Sequence, residues 1–212
     1  MLNFKIKNIN NFLLENDFRE LESISSSLQR NNRNNFGIYH NEIDNEKIIK
    51  SSLDKDFLKR LQNNYFSKAM NILKELCPEK MDLYDYSDFT IIISKKDSVF
   101  PIHDDTPNKL LSGVVYIAPE KNCGTFFYNK KTGENKTIAQ WETNKAVFFS
   151  RKERETWHSY EGDGVNDRVV LVFNLMTRRI KEVFKIEKKN YFLGNLRFKL
   201  NPYIYRFFKN TI

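Results

Sequence analysis

Cysteine, histidine, proline and glycine are all scarce in this chain of 212 residues, at two, three, five and seven copies. Cys77 and Cys123 lie far apart without metal-ligand spacing, so free thiols in a reducing, cytoplasmic compartment are expected rather than a disulfide. The prolines and glycines do not cluster into a linker, no internal repeat is present, and a single domain is expected. No apolar run approaches the ~20 residues needed to span a bilayer. The opening stretch from Met1 to Asn8 has neither an apolar core nor a small-residue cleavage site, so no signal peptide is expected.

Charge is unevenly placed. Ten of the 35 Lys/Arg and two of the 27 Asp/Glu fall in residues 178–212, so the formal excess of +8 belongs to this stretch and residues 1–177 hold 25 charges of each sign. That argues against a generally basic, nucleic-acid-binding body. The basic extension also carries eight aromatics between Phe184 and Phe208. Such a composition suits stacking on single-stranded nucleic acid, a membrane surface, or docking on the body with Lys and Arg left in water. Docking is expected, with nucleic-acid contact through this extension as the alternative.

The texture of the chain changes near Asp88. Before it, Asn16 can cap a short helix bearing Phe18, Leu21, Ile24 and Leu28, and the polar stretch from Ser25 to Asn35 reads as a loop. A stronger helix places Leu58, Leu61, Tyr65, Ala69, Ile72 and Leu76 at three- and four-residue steps. Ser51 and Asp54 form its expected capping box, and Cys77-Pro78 its stop. From Asp88 onward, eight strand-like runs follow at 89–94, 99–105, 110–118, 124–128, 137–141, 146–150, 156–160 and 168–177, separated by turn residues. This spacing predicts a mainly β (α+β) fold on a double-stranded β-helix, the cupin-like jelly roll. Its parts are a helical N-terminal support (1–87), the core (88–177) and the basic aromatic extension (178–212). Val169 to Phe173 is apolar on both faces and needs cover on both, which the long helix supplies outside.

Two of the three histidines fall in one constellation. Alternation along 99–105 places Val99, Pro101, His103 and Asp105 on one face, with Phe100, Ile102 and Asp104 opposite. His158, from a distant strand, completes two imidazoles and one carboxylate, a facial triad suited to Fe(II) with positions left open. Arg168 begins a strand that is otherwise apolar, where a guanidinium fork calls for an anionic partner. His40 has no ligand-like neighbour and reads as structural or surface. The run Arg151-Lys152-Glu153-Arg154-Glu155 reads as a solvated turn near the barrel mouth.

These residues resemble the 2-oxoglutarate/Fe(II)-dependent oxygenases, especially the prolyl-hydroxylase-like branch. The resemblance rests on His103-Asp104-Asp105-Thr106-Pro107, the LLSGVVYIAP run from Leu110 to Pro119, Trp157-His158, and Asp167-Arg168-Val169-Val170. It covers roughly residues 88–177. It implies a catalytic metal, Fe(II), on His103, Asp105 and His158, with 2-oxoglutarate and O2 as cosubstrates. Arg168, helped by Tyr116, would hold the far carboxylate of 2-oxoglutarate; Tyr116 also suits a core position. The implied reaction is hydroxylation with release of succinate and CO2, and the presence of Asp105 favours oxygenation over halogenation. Some relatives have a Tyr about ten residues before the first His, whereas this chain has Ile93-Ser94, which leaves the near-end contact unassigned. No substrate signature chooses between a peptidyl prolyl, a small molecule and a glycan, and a catalytically silent jelly-roll binding module stays open.

Overall fold

The computed structural model describes residues 1–32 and 34–208, with side chains described as far as residue 200. The expected aromatics from Tyr203 to Phe208, and Lys209, therefore lie outside the described side chains. Twelve strands and four α-helices occur among the described residues. The N-terminal elements are β1 (Lys7–Ile9), α1 (Glu15–Asn31), β2 (Phe36–Tyr39), β3 (Glu42–Asp44), β4 (Lys47–Lys50) and α2 (Lys55–Leu76), followed by a short 3-10 helix, Pro78–Leu83. Then come β5 (Tyr86–Ser94), β6 (Val99–His103), β7 (Lys109–Ala118), β8 (Thr125–Tyr128), β9 (Thr137–Ala139), β10 (Ala146–Phe149), β11 (Trp157–Glu161) and β12 (Arg168–Met176). The chain continues through α3 (Ile180–Ile186) and α4 (Tyr191–Phe208).

The strands form two antiparallel sheets. The larger runs β1-β10-β7-β12-β5-β3-β4, with β2 also on β5; the smaller runs β6-β11-β8-β9. Facing sheets of this order make the expected jelly roll, and all eight anticipated strands are present. The sequence reading of residues 1–87 as helical is corrected, because β1 to β4 add edges to the larger sheet. The expected loop at 25–35 is also corrected: α1 continues to Asn31, with Leu21 and Ser25 buried. Packing here overrides the weak helix propensity of Ser and Asn.

Helix α2 follows its apolar spacing, with Leu58, Leu61, Tyr65, Ala69 and Ile72 all buried. Its cap is Asp54, which accepts from the Asp56 and Phe57 amides, rather than Ser51, whose hydroxyl donates to the Leu53 carbonyl. The helix lies against Val169, Leu171, Phe173 and Leu175, the outward face of β12. Val170 and Val172 point the other way, into the space between the sheets, beside Val114 and Phe149. Each fully buried aliphatic side chain contributes about 1.5–3 kcal/mol, so α2 anchors the strand whose first residue is Arg168. No helix among the described residues is long and apolar enough to cross a membrane.

Candidate metal centre

One ligand atom from each of His103, Asp105 and His158 lies within 4.8 Å of the others. His103 ends β6 and sits opposite His158 on β11, with ring centroids 4.2 Å apart. The alternation expected for 99–105 does not hold. Tyr160 pairs with Phe100 while His158 pairs with His103, so three residues of β6 span two of β11. This bulge brings Phe100 to the same face as His103, at 4.6 Å between rings. Asp105 lies beyond the strand end and is placed by side-chain contacts instead of strand geometry. Ser112 Oγ donates to it at 2.5 Å, Lys109 Nζ at 2.6 Å, and Arg151 Nε–H donates to its backbone carbonyl at 3.0 Å.

Both imidazoles are oriented from behind. His103 Nδ1 lies 2.8 Å from the Pro101 carbonyl and His158 Nδ1 lies 3.1 Å from the Thr156 carbonyl. A carbonyl only accepts, so each Nδ1 carries the proton and each Nε2 keeps a lone pair for a metal. His158 Nε2 lies 4.0 Å from Asp105 Oδ2. Phe149 and Phe127 wall its ring. Burial, then His158, push His103 down to about 3, and burial lowers His158 as well. Burial acts to raise Asp105, but Lys109, His158 and His103 together outweigh it and hold the carboxyl well below its usual range. Neutral imidazoles and an ionised carboxylate are the states that ligate Fe(II).

A pH dependence of the metal-free protein follows. Unfolded histidine binds a proton near pH 6.5, whereas the folded His103 binds one only near 3, so the unfolded state takes up protons first. Stability present above pH 6.5 should therefore fall as the pH drops from 6.5 towards 3. Urea midpoints measured across this range should decline in the wild type and decline less in His103→Gln. A flat wild-type profile would contradict the lowered histidine.

Asp104 faces away from the triad. It accepts from the Arg154 amide at 2.8 Å and pairs with Arg197 of α4. The expected solvated turn at 151–155 is likewise corrected at two of its residues, since Arg151 and Glu153 are buried. Arg151 pairs with Glu187, just after α3, at 2.7 Å, and also with Glu153; Lys80 reaches Glu187 at 2.7 Å. Arg197 bridges to Glu153 at 3.1 Å. The basic extension thus docks through Val183 and Phe184 in the core and through charges that clamp the Asp104-Asp105 loop. Along the start of α4, Phe192, Leu193 and Leu196 stay exposed. Sequence reading missed Lys109, Ser112, Arg151 and Glu187; only Lys109, four residues from Asp105, carried a local signal.

Arg168 opens β12 with its side chain buried among aromatics. Its guanidinium carbon is 3.9 Å from the Tyr160 ring centroid and 5.6 Å from those of Tyr116 and Trp141. One weak contact at 3.4 Å reaches Thr125 Oγ1, Nε has no partner, and no carboxylate among the described residues pairs with the group. Burial pulls this guanidinium below its ordinary range. A buried, uncompensated cation is costly unless a ligand supplies the anion. The Tyr116 hydroxyl accepts from the Thr125 amide at 3.0 Å and lies 3.0 Å from Thr125 Oγ1 and 3.1 Å from the Ala139 carbonyl. Its ring, stacked on Trp141 at 4.5 Å, is what faces Arg168. Gly124 lets the backbone before β8 pass close to Ala139, because a Cβ there would stand 1.8 Å from the Ala139 oxygen. Ile93 is buried in the helix-side core, and Ser94 pairs in register with Arg168.

The sequence matches no family model and no curated protein. The structure is similar to several solved ones. A Pseudomonas putida prolyl-4-hydroxylase matches with a TM-score of 0.57 at 12% identity, over 83% of this chain and 94% of that one. A Burkholderia pseudomallei oxidoreductase of the 2OG-Fe(II) oxygenase family matches at 0.56 and 13%, over 81% and 84%. A Trichoplax adhaerens prolyl hydroxylase, solved with a hypoxia inducible factor oxygen degradation domain peptide fragment, matches at 0.55 and 13%, over 85% and 87%. The chain therefore has the fold of the 2-oxoglutarate/Fe(II) oxygenases, in the form shared with the prolyl hydroxylases.

Proposed function

We propose that the protein is a 2-oxoglutarate- and Fe(II)-dependent dioxygenase that hydroxylates its substrate with release of succinate and CO2. The observation that carries this reading is the pairing of two sites on one jelly roll. One is a triad with both histidine Nε2 atoms free; the other is a buried Arg168 lacking an anion. In this reading His103, Asp105 and His158 hold the iron, which with 2-oxoglutarate supplies the oxidising chemistry. Arg168 receives the far carboxylate of 2-oxoglutarate through its guanidinium fork. Tyr116 and Trp141 wall that guanidinium and exclude water from it, and Tyr116 keeps Thr125 in place. Ser112 and Lys109 fix the Asp105 carboxylate. The Pro101 and Thr156 carbonyls keep both histidines in the ligating tautomer.

The direct test is succinate formation from 2-oxoglutarate that requires both Fe(II) and O2. One tightly bound Fe(II) without any such turnover would leave a metal-binding module instead. His158→Ala should abolish stoichiometric Fe(II) binding in an anaerobic titration, while the melting temperature of the metal-free protein changes little. Retention of one tight iron in this variant would remove His158 from the triad.

A further inference from the structure

Resting on that reading of the site, we infer that the interior face beside the triad carries a subsite for a cationic hydrogen-bond donor on the primary substrate, an ammonium or guanidinium, received by Asp88 and Asn174. Strand register lines up Ser112, Asn174 and Asp88 across β7, β12 and β5. Asn174 alternates with Leu175 and Phe173, which face the helices, so the row faces the interior with Val170 and Val172. At one end Ser112 touches the ligand Asp105 at 2.5 Å. With strands about 4.8 Å apart, Asp88 stands two strands from Ser112, within the reach of a substrate that presents a carbon to the metal.

The row is rich in acceptors and short of positive charge. Asp88 is 7% exposed and accepts from Thr90 Oγ at 2.6 Å and from Asn174 Nδ2 at 3.0 Å. No cation among the described residues pairs with it, and Lys109 is already committed to Asp105. Asn174 is 1% exposed, and its Oδ1 has no hydrogen-bond partner. Glu42 pairs in register with Asp88 on one side and with Lys50 on the other; after burial, Glu42 is the main influence pushing the Tyr86 phenol up, and Arg178 over that ring opposes it. Because Thr90 gives its only hydroxyl proton to Asp88, the 2.9 Å contact between Thr90 Oγ1 and His40 Nδ1 requires the imidazole to donate. His40, which bonds Thr90, is exposed, as is Ile38 at 43%, so solvent reaches the β2 side of Thr90, the row's neighbour.

Burial makes an unpaired carboxylate and an orphaned amide oxygen costly, and a single donor-bearing cation relieves both. An anionic substrate would meet Asp88 and Glu42, and an apolar one would leave Asn174 Oδ1 unsatisfied. Sites built on buried polar groups discriminate strongly against analogues that lack the matching group.

The test titrates n-butylammonium and n-butylguanidinium, with butyrate and butanol as controls, into the full chain under anaerobic conditions with Fe(II) and 2-oxoglutarate. Binding is read by NMR shift changes. Both cations should bind saturably, at least tenfold tighter than either control. Asp88→Asn should weaken them at least tenfold while leaving Fe(II) and 2-oxoglutarate affinities unchanged. Asn174→Ser should weaken them several-fold, and it carries the test should Asp88→Asn not fold. No cation binding, equal binding of butyrate, or indifference to both substitutions would overturn the subsite. Fe(II) and 2-oxoglutarate titrations of the wild type report separately on the oxygenase reading, whose failure would leave a measured cation site standing.

Discussion

Glu187→Ala is expected to destabilise the protein by about 3–5 kcal/mol, the usual cost of removing one partner from a buried ionic cluster. Its two oxygens serve Lys80 Nζ and Arg151 Nη1, and it also accepts the Glu153 amide at 2.9 Å. Lys80 and the Arg151 side chain are almost fully buried, so neither cation can turn to water in compensation. Thermal and urea melting of the metal-free chain would measure the loss. A triple variant, Lys80→Met with Arg151→Met and Glu187→Leu, should recover much of that stability, because the one carboxylate it deprives of a partner, Glu153, keeps Arg197. Iron affinity should fall in the triple variant despite that recovery, since Arg151 no longer holds the Asp105 carbonyl. Recovery of stability together with full iron affinity would show that the cluster supports the fold and not the ligand loop.

Arg168→Ala should weaken 2-oxoglutarate by about 2–5 kcal/mol, the range found when one partner of a buried, hydrogen-bonded charge pair is truncated. Fe(II) affinity should stay close to wild type, because Arg168 is not among the triad. Arg168→Lys should recover only part of the loss, since an ammonium cannot present two parallel donors to a carboxylate. Calorimetric titration of 2-oxoglutarate into the anaerobic Fe(II) form distinguishes these cases. Equal affinity in wild type and Arg168→Ala would remove the cosubstrate assignment at its anchor.

Much of this was legible in the residues. The eight core strands announce themselves because turn residues punctuate apolar runs, and α2 does so because its buried positions recur with helical period. Arg168 stands out as a charge opening an apolar strand, and His158 as one of only three histidines in the chain. Strands β1 to β4 were not legible, being three or four residues long and set in polar sequence. In hindsight, Asn45, with φ at 53°, marks the hairpin between β3 and β4. The extension of α1 through its serines comes from burial of one helix face, which propensity does not record. The placement of Asp105 was inferred from alternation, yet it arises from Ser112, Lys109 and Arg151. The last of these is 46 residues downstream, as an Arg151 Nε–H to Asp105 carbonyl bond, and nothing local signals it.

Because three residues of β6 span two of β11, the strand changes phase between Phe100 and His103. A chain one residue shorter between these positions would still turn both side chains inward, as a plain strand. Alignment with such a chain needs a single-residue gap at Pro101 or Ile102. Without it, anchoring on His103 assigns everything upstream to the wrong face, and anchoring on Phe100 displaces the ligands by one. Length, more than residue identity, is the variable that keeps the first half of the metal centre in step with the second.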